Sequence, residues 1–186
     1  MIKIPEKEGR LSAAKAAHIE AVIAFVKRKT EGYRRDLFAN ISRVMLVSGT
    51  FEDMSARDDW SWLSDFILAD VKTLKQMIGR PELLQFDEFK RMYSDYFSAG
   101  SDKYVDASTK YNAYMFIENL GVTICPYCDE EYLDVVENGN GGKLRTLEID
   151  HFFPKGKYPA LAMCFYNLVP SGQNCNGMKR EDLLGI

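Results

Sequence analysis

Four cysteines and two histidines in 186 residues restrict the chemistry open to this chain. Cys125 and Cys128 stand in the tetrapeptide Cys125-Pro126-Tyr127-Cys128. That spacing serves either a reversible dithiol or half of a tetrahedral zinc site. A zinc site needs further ligands downstream. Cys175 lies 47 residues after Cys128, but Gly172 occupies the place where a second Cys-x-x-Cys would begin. Cys164 is the other candidate, set in the apolar run Leu161 to Phe165 where a small buried residue is the plain reading. Of the histidines, His18 flanks the apolar face of an N-terminal helix and reads as a core or boundary residue. His151 follows Asp150 at the end of a strand-like segment. Such a pair can bring a carboxylate to a hard divalent cation while the imidazole faces a water.

The elements that position these residues change character along the chain. The first 120 residues read as helices. Ile19, Val22, Ile23 and Val26 follow helical spacing within Leu11 to about Lys29, and Leu37, Ile41, Val44 and Ser48 suggest a second helix. Leu63, Phe66, Ile67, Val71, Leu74 and Ile78 line a third, with Asp58 and Asp59 as cap candidates. Gly79-Arg80-Pro81 ends it, and Phe86, Phe89, Tyr93 and Tyr96 or Phe97 carry a fourth. A fifth runs from about Asp106 to Leu120, stopped by Gly121. After Gly121, Val122 to Ile124 is strand-like. Tyr132 to Val136 and Leu144 to Ile149 flank the turn Asn138 to Gly142 as a hairpin. A Pro-rich loop, a short strand at Tyr166 to Val169 and a short helix from about Cys175 complete the reading. The cysteine tetrapeptide resembles the active site of glutaredoxins, but that fold needs a helix directly after the motif. Here Asp129-Glu130-Glu131 follows, and anions there are expected to raise thiol pKa values.

Three further strings belong together. They are Glu148-Ile149-Asp150-His151-Phe152-Phe153-Pro154-Lys155, then Asn167-Leu168-Val169-Pro170, then Cys175-Asn176-Gly177-Met178-Lys179. In residue type and spacing this set resembles the HNH endonuclease family, and the upstream Cys-x-x-Cys matches members that add a structural zinc. The resemblance covers roughly residues 121 to 182 and implies a small ββα-metal domain over 121–186, which, after the mainly α-helical region over 1–120, makes an α+β chain. It implies that Asp150 and Asn176 bind a catalytic divalent metal, Mg²⁺ or Mn²⁺, and that His151 is the general base. Asn167 corresponds to the middle asparagine that braces the metal loop, and Lys179 to a residue contacting the scissile phosphate. Cys125, Cys128 and Cys175 would hold structural Zn²⁺, with Gly172 in place of the third cysteine and Cys164 or water as a possible fourth ligand. The stretch Lys155 to Leu161 also looks like a subset of bacterial HNH proteins that act with ATPase partners in phage defence, Septu-like systems among them.

Composition sets the outer limits. Hydrophobic residues make up 46%, enough for a real core, and no apolar run is long enough for a membrane span. The first residues lack a signal-peptide core, so a cytoplasmic protein is expected. The net charge of -3 argues against a uniformly basic surface, yet 143–180 carries six cations against two anions. A locally basic part of this kind suits phosphate. Residues Phe51 to Asp70 are acidic and read as a solvated face in preference to a docking patch. The expected activity is metal-dependent hydrolysis of phosphodiester bonds, with double-stranded DNA ahead of RNA as substrate. The alternative is a non-catalytic module that keeps the HNH scaffold to bind nucleic acid or a protein partner.

Overall fold

A stripe of Ala14, His18, Ala21, Val22, Phe25 and Val26 is buried along the first helix, α1 (Arg10–Lys27). These positions recur every three or four residues, so one face of the helix meets the core. The computed structural model describes residues 9–47, 49, 60–100, 102–137, 139 and 143–179, with the side chains of 143, 178 and 179 outside that description. Helix α2 (Glu31–Val47) buries Leu37, Ile41, Val44 and Met45 in the same way. Ser48, Asp58 and Asp59 lie outside the described residues, as does the acidic stretch before Trp60.

The expected third helix is two helices, α3 (Ser61–Ile67) and α4 (Val71–Met77). The break is chemical. Asp70 turns its carboxylate back to accept from the Thr73 N–H at 2.7 Å, and so caps a new helix instead of continuing the old one. The apolar face survives the break, since Leu63, Phe66, Ile67, Leu74 and Met77 are all buried. Pro81 opens a single 3₁₀ turn, Pro81–Leu84. Helix α5 (Glu88–Met92) then runs into a π turn, Tyr93–Phe97.

The fifth helix is also shorter than its apolar pattern. Asp106 takes the hydroxyls of Ser108 and Thr109 at 2.7 and 2.8 Å, holding 106–109 in a turn. Asn112 then caps α6 (Ala113–Leu120) by accepting from the Tyr114 N–H at 3.1 Å. Gly121 ends it at φ 62, a left-handed position, where a Cβ would also meet the Arg10 guanidinium.

Beyond Gly121 the strand-like 122–124 segment makes, among the described residues, one bridge, Ile124 to Tyr132, which brackets the cysteine tetrapeptide. Strands β1 (Val135–Glu137) and β2 (Lys143–Arg145) pair antiparallel. The expected continuous strand from Leu144 breaks at Thr146, whose N–H and hydroxyl pair with the Asp134 backbone. It resumes as β3 (Leu147–His151), which pairs antiparallel with β4 (Leu168–Gly172) in the register Asp150 to Val169 and His151 to Leu168. Residues Phe165–Asn167 form a 3₁₀ turn, so this last strand starts later than its sequence suggests. Helix α7 (Gln173–Lys179) follows at once and packs on both β3 and β4.

The fold is therefore mixed helix and sheet, with helices first and two small antiparallel sheets after them. One hydrophobic cluster runs through it, joining Val22, Phe66, Phe89 and Phe116 to Leu147, Phe153 and Phe165. Among the described residues, no helix is long and apolar enough to cross a membrane.

Candidate metal centre and the neighbouring cleft

The sulfurs of Cys125, Cys128 and Cys175 lie within 4.8 Å of one another. A tight turn makes this possible. The Cys125 N–H donates to the Glu131 carbonyl at 2.8 Å, and the Asp129 N–H to the Cys125 carbonyl at 2.9 Å. Asp129 itself sits at φ 56, a conformation that Asp tolerates better than most residues. Cys175 arrives from the other side, on α7. Three thiols converging in this way suit zinc or another thiophilic divalent ion, since thiolates are its preferred soft ligands.

The surroundings of each sulfur differ. Backbone N–H groups of Glu131 and then Glu130 point at Cys128 and hold its thiol below the ordinary range. This corrects the expectation from Asp129-Glu130-Glu131: the backbone N–H groups of the acidic residues face the sulfur and lower its pKa, against a smaller rise from burial. Cys175 is pushed up to about 12, first by loss of solvent and then by the neighbouring thiols. Cys164 stands apart. It is fully buried, its Sγ lies 3.5 Å from the Phe66 carbonyl, and burial raises its thiol far above the ordinary value. It does not belong to the cluster and does not complete it.

Next to the cysteines lies a cleft of about 390 Å³. Strand β3 supplies its floor. Alternation buries Leu147, Ile149 and His151 on one face and turns Glu148 and Asp150 outward. An Asp150 oxygen accepts from the Tyr127 hydroxyl at 2.5 Å. Burial, followed by the Asp150 charge, keeps that phenol protonated far into alkali, so it remains a donor. Tyr127 lies between the two cysteines, and this bond therefore ties the cysteine turn to the cleft. Asn176, on α7, donates its amide N–H to Glu148.

His151 is 5% exposed and forms part of the cleft wall. Its Nε2 lies 3.1 Å from the Ala162 carbonyl, which can only accept, so the neutral ring carries its proton there. Tyr93 packs edge-on against the ring at 4.5 Å and donates its hydroxyl to the Ile149 carbonyl at 3.1 Å. Arg145 and Lys155 also line the cleft. Arg145 donates to Ser98 at 3.0 Å, and the Lys155 ammonium lies 5.1 Å over the Tyr93 ring. The acidic floor thus has cations beside it.

Of the residues singled out in the sequence, Asp150, His151 and Asn176 come together in this cleft. Cys125, Cys128 and Cys175 form the adjoining cluster. Asn167 lies behind the cleft, fully buried. Its Oδ1 accepts from the Phe153 N–H at 2.6 Å, and its Nδ2 donates to the carbonyls of Phe153 and Leu161 at 3.1 and 2.9 Å. These bonds fix the loop between β3 and β4. The Lys179 side chain lies outside the described residues. Sequence reasoning gave no site role to Tyr127 or Glu148, and took Arg145 and Lys155 only as part of a locally basic stretch suited to phosphate. Glu148 was detectable in principle, because it precedes Asp150 by two residues and shares its strand face.

No family model, no curated protein and no solved structure matches this chain.

Proposed function

We propose that this chain is a metal-dependent endonuclease of the HNH type that hydrolyses phosphodiester bonds in nucleic acid, double-stranded DNA before RNA. The observation that carries the reading is the convergence of Asp150, His151 and Asn176 on one cleft, at a strand pair followed directly by a helix. The donor set fits a hard cation such as Mg²⁺ or Mn²⁺. Asp150 offers a carboxylate, and Asn176 commits its amide nitrogen to Glu148, which leaves a carbonyl oxygen as its ligand atom. When bound, such a cation stabilises charge on the phosphate and the departing oxygen.

The chain's own residues do the rest. With its Nε2 proton held on Ala162, His151 has Nδ1 as its basic nitrogen and takes a proton from the attacking water. Tyr127 orients the Asp150 carboxylate, and Asn167 holds the loop on which the His151 ring rests. Arg145 and Lys155 offer positive charge to a phosphate entering the cleft. The products are a 5′-phosphate and a 3′-hydroxyl. The character of the Lys155 to Leu161 loop supports placing this activity in phage defence, beside an ATPase partner.

Supercoiled plasmid incubated with Mg²⁺, Mn²⁺ or EDTA tests the proposal, with wild type beside His151→Ala. Nicking is expected in either metal and absent in EDTA, with a loss of about 100-fold or more in the variant, the usual weight of a general base. The reading fails if wild type leaves plasmid, linear duplex and RNA intact in both metals.

A further inference from the structure

The cysteine cluster has three sulfurs, and zinc in a closed site takes four ligands. The missing position is visible in the chain itself. Gly172 stands three residues before Cys175, where a paired cysteine would stand, and it ends β4 immediately before α7. A Cβ built on Gly172 falls directly on the Glu131 carboxylate. The side chain of Glu131 therefore occupies the space from which a cysteine at residue 172 would reach the metal. Glu131 is also bound into the turn that presents the other sulfurs. Its N–H lies 3.5 Å from the Cys128 Sγ, and its carbonyl accepts from the Cys125 N–H at 2.8 Å.

We propose that Glu131 supplies the fourth ligand, a carboxylate oxygen, to a zinc ion held by Cys125, Cys128 and Cys175. Glycine at residue 172 and glutamate at residue 131 are then one adaptation. The ligand has moved from one side of the site to the other, and the vacated position has lost its Cβ to make room. The exchange preserves charge, since three thiolates and one carboxylate carry the same formal charge as four thiolates. The oxygen stands outside the 4.8 Å cluster of sulfurs. Rotation about the Glu131 side-chain bonds draws it in, to the shorter distance that zinc takes with oxygen, ~2.0–2.2 Å against ~2.3 Å for sulfur.

The proposal rests on the cysteine cluster being a metal site, and it is independent of any nuclease activity. The full chain, stripped of metal and reloaded, is titrated with Zn²⁺ against a chromogenic competitor and with Co²⁺ for its ligand-field spectrum. X-ray absorption at the zinc edge counts sulfur and oxygen neighbours. Wild type should take one zinc per chain, with three sulfurs and one light atom. Glu131→Ala should weaken zinc binding by at least about tenfold, a loss that even outer partners of a metal site can cause. Adding Gly172→Cys to Glu131→Ala should restore the affinity and turn the absorption signature into that of four sulfurs. Should Glu131→Ala fail to fold, the isosteric Glu131→Gln is read in the same way. Unchanged affinity and an unchanged Co²⁺ spectrum in either variant would overturn the role of Glu131 while leaving the three-cysteine site intact. A wild type that takes up no zinc would overturn both.

Discussion

His18 shows what a single side chain contributes when it is closed off from water. It is fully buried on α1, with Phe97, Phe116 and Phe165 around the ring at 6.0, 5.7 and 5.7 Å. Its Nε2 donates to the Met163 carbonyl at 2.8 Å, so Nδ1 accepts from the Tyr111 hydroxyl at 3.0 Å. Burial lowers its pKa to about 4, against the smaller opposing effect of the Met163 bond. The unfolded chain, with a histidine near 6.5, binds a proton that the folded chain refuses between those two values. Stability is therefore complete above pH 7 and falls as the pH drops from 6.5 towards 4, by roughly 3 kcal/mol from this group. Urea melts at pH 7, 6, 5 and 4 should show that decline, and His18→Gln should flatten it. An equal pH slope in both proteins would assign the effect elsewhere. The buried setting of His18 was legible, because it lies on the apolar side of a periodic helix. The hydroxyl partner of Asp150 was not, since Tyr127 is 23 residues away in sequence and only the fold brings them together.

At the level of elements, short polar side chains overrule hydrophobic periodicity. The pattern from Leu63 to Ile78 finds the buried Leu63, Phe66, Ile67 and Leu74, but it misses the buried Met77 and counts Val71 and Ile78, which are only half-buried. It also cannot register that Asp70 prefers to accept a backbone N–H. Asn112 does the same to the fifth helix, and Thr146 to the strand before β3. Periodicity reports which face is apolar, whereas a cap is a local competition for donors that leaves the face unchanged. Asp70→Ala should cost about 1 kcal/mol, the usual worth of an N-cap, seen as a lower midpoint in thermal or urea unfolding. No loss at all would mean that packing alone sets the boundary between α3 and α4. The C-terminal end of α6 illustrates the opposite case. Gly121 was readable as its stop, because a left-handed residue after an apolar run is a strong and strictly local signal.

Taken whole, the molecule shares its core across the change of character at Gly121. His18 holds the Met163 carbonyl, Tyr93 holds that of Ile149, and Cys164 rests against Phe66. The sequence displays the change of pattern clearly, but a pattern names a buried face without naming what covers it. A fragment of residues 121–186 should therefore remain unfolded even with equimolar Zn²⁺, with poorly dispersed amide resonances, because its apolar residues lose their helical partners. A dispersed spectrum from that fragment would show the opposite. Tyr93 carries this dependence furthest. It belongs to the helical part, at the π turn that ends α5, yet its ring backs His151 and its hydroxyl steadies β3. In terms of descent, the strand–strand–helix unit is then not a freely portable cassette. A lineage that exchanged the helical scaffold would have to inherit a counterpart of Tyr93 with it, so the history of the helices is bound to that of the cleft.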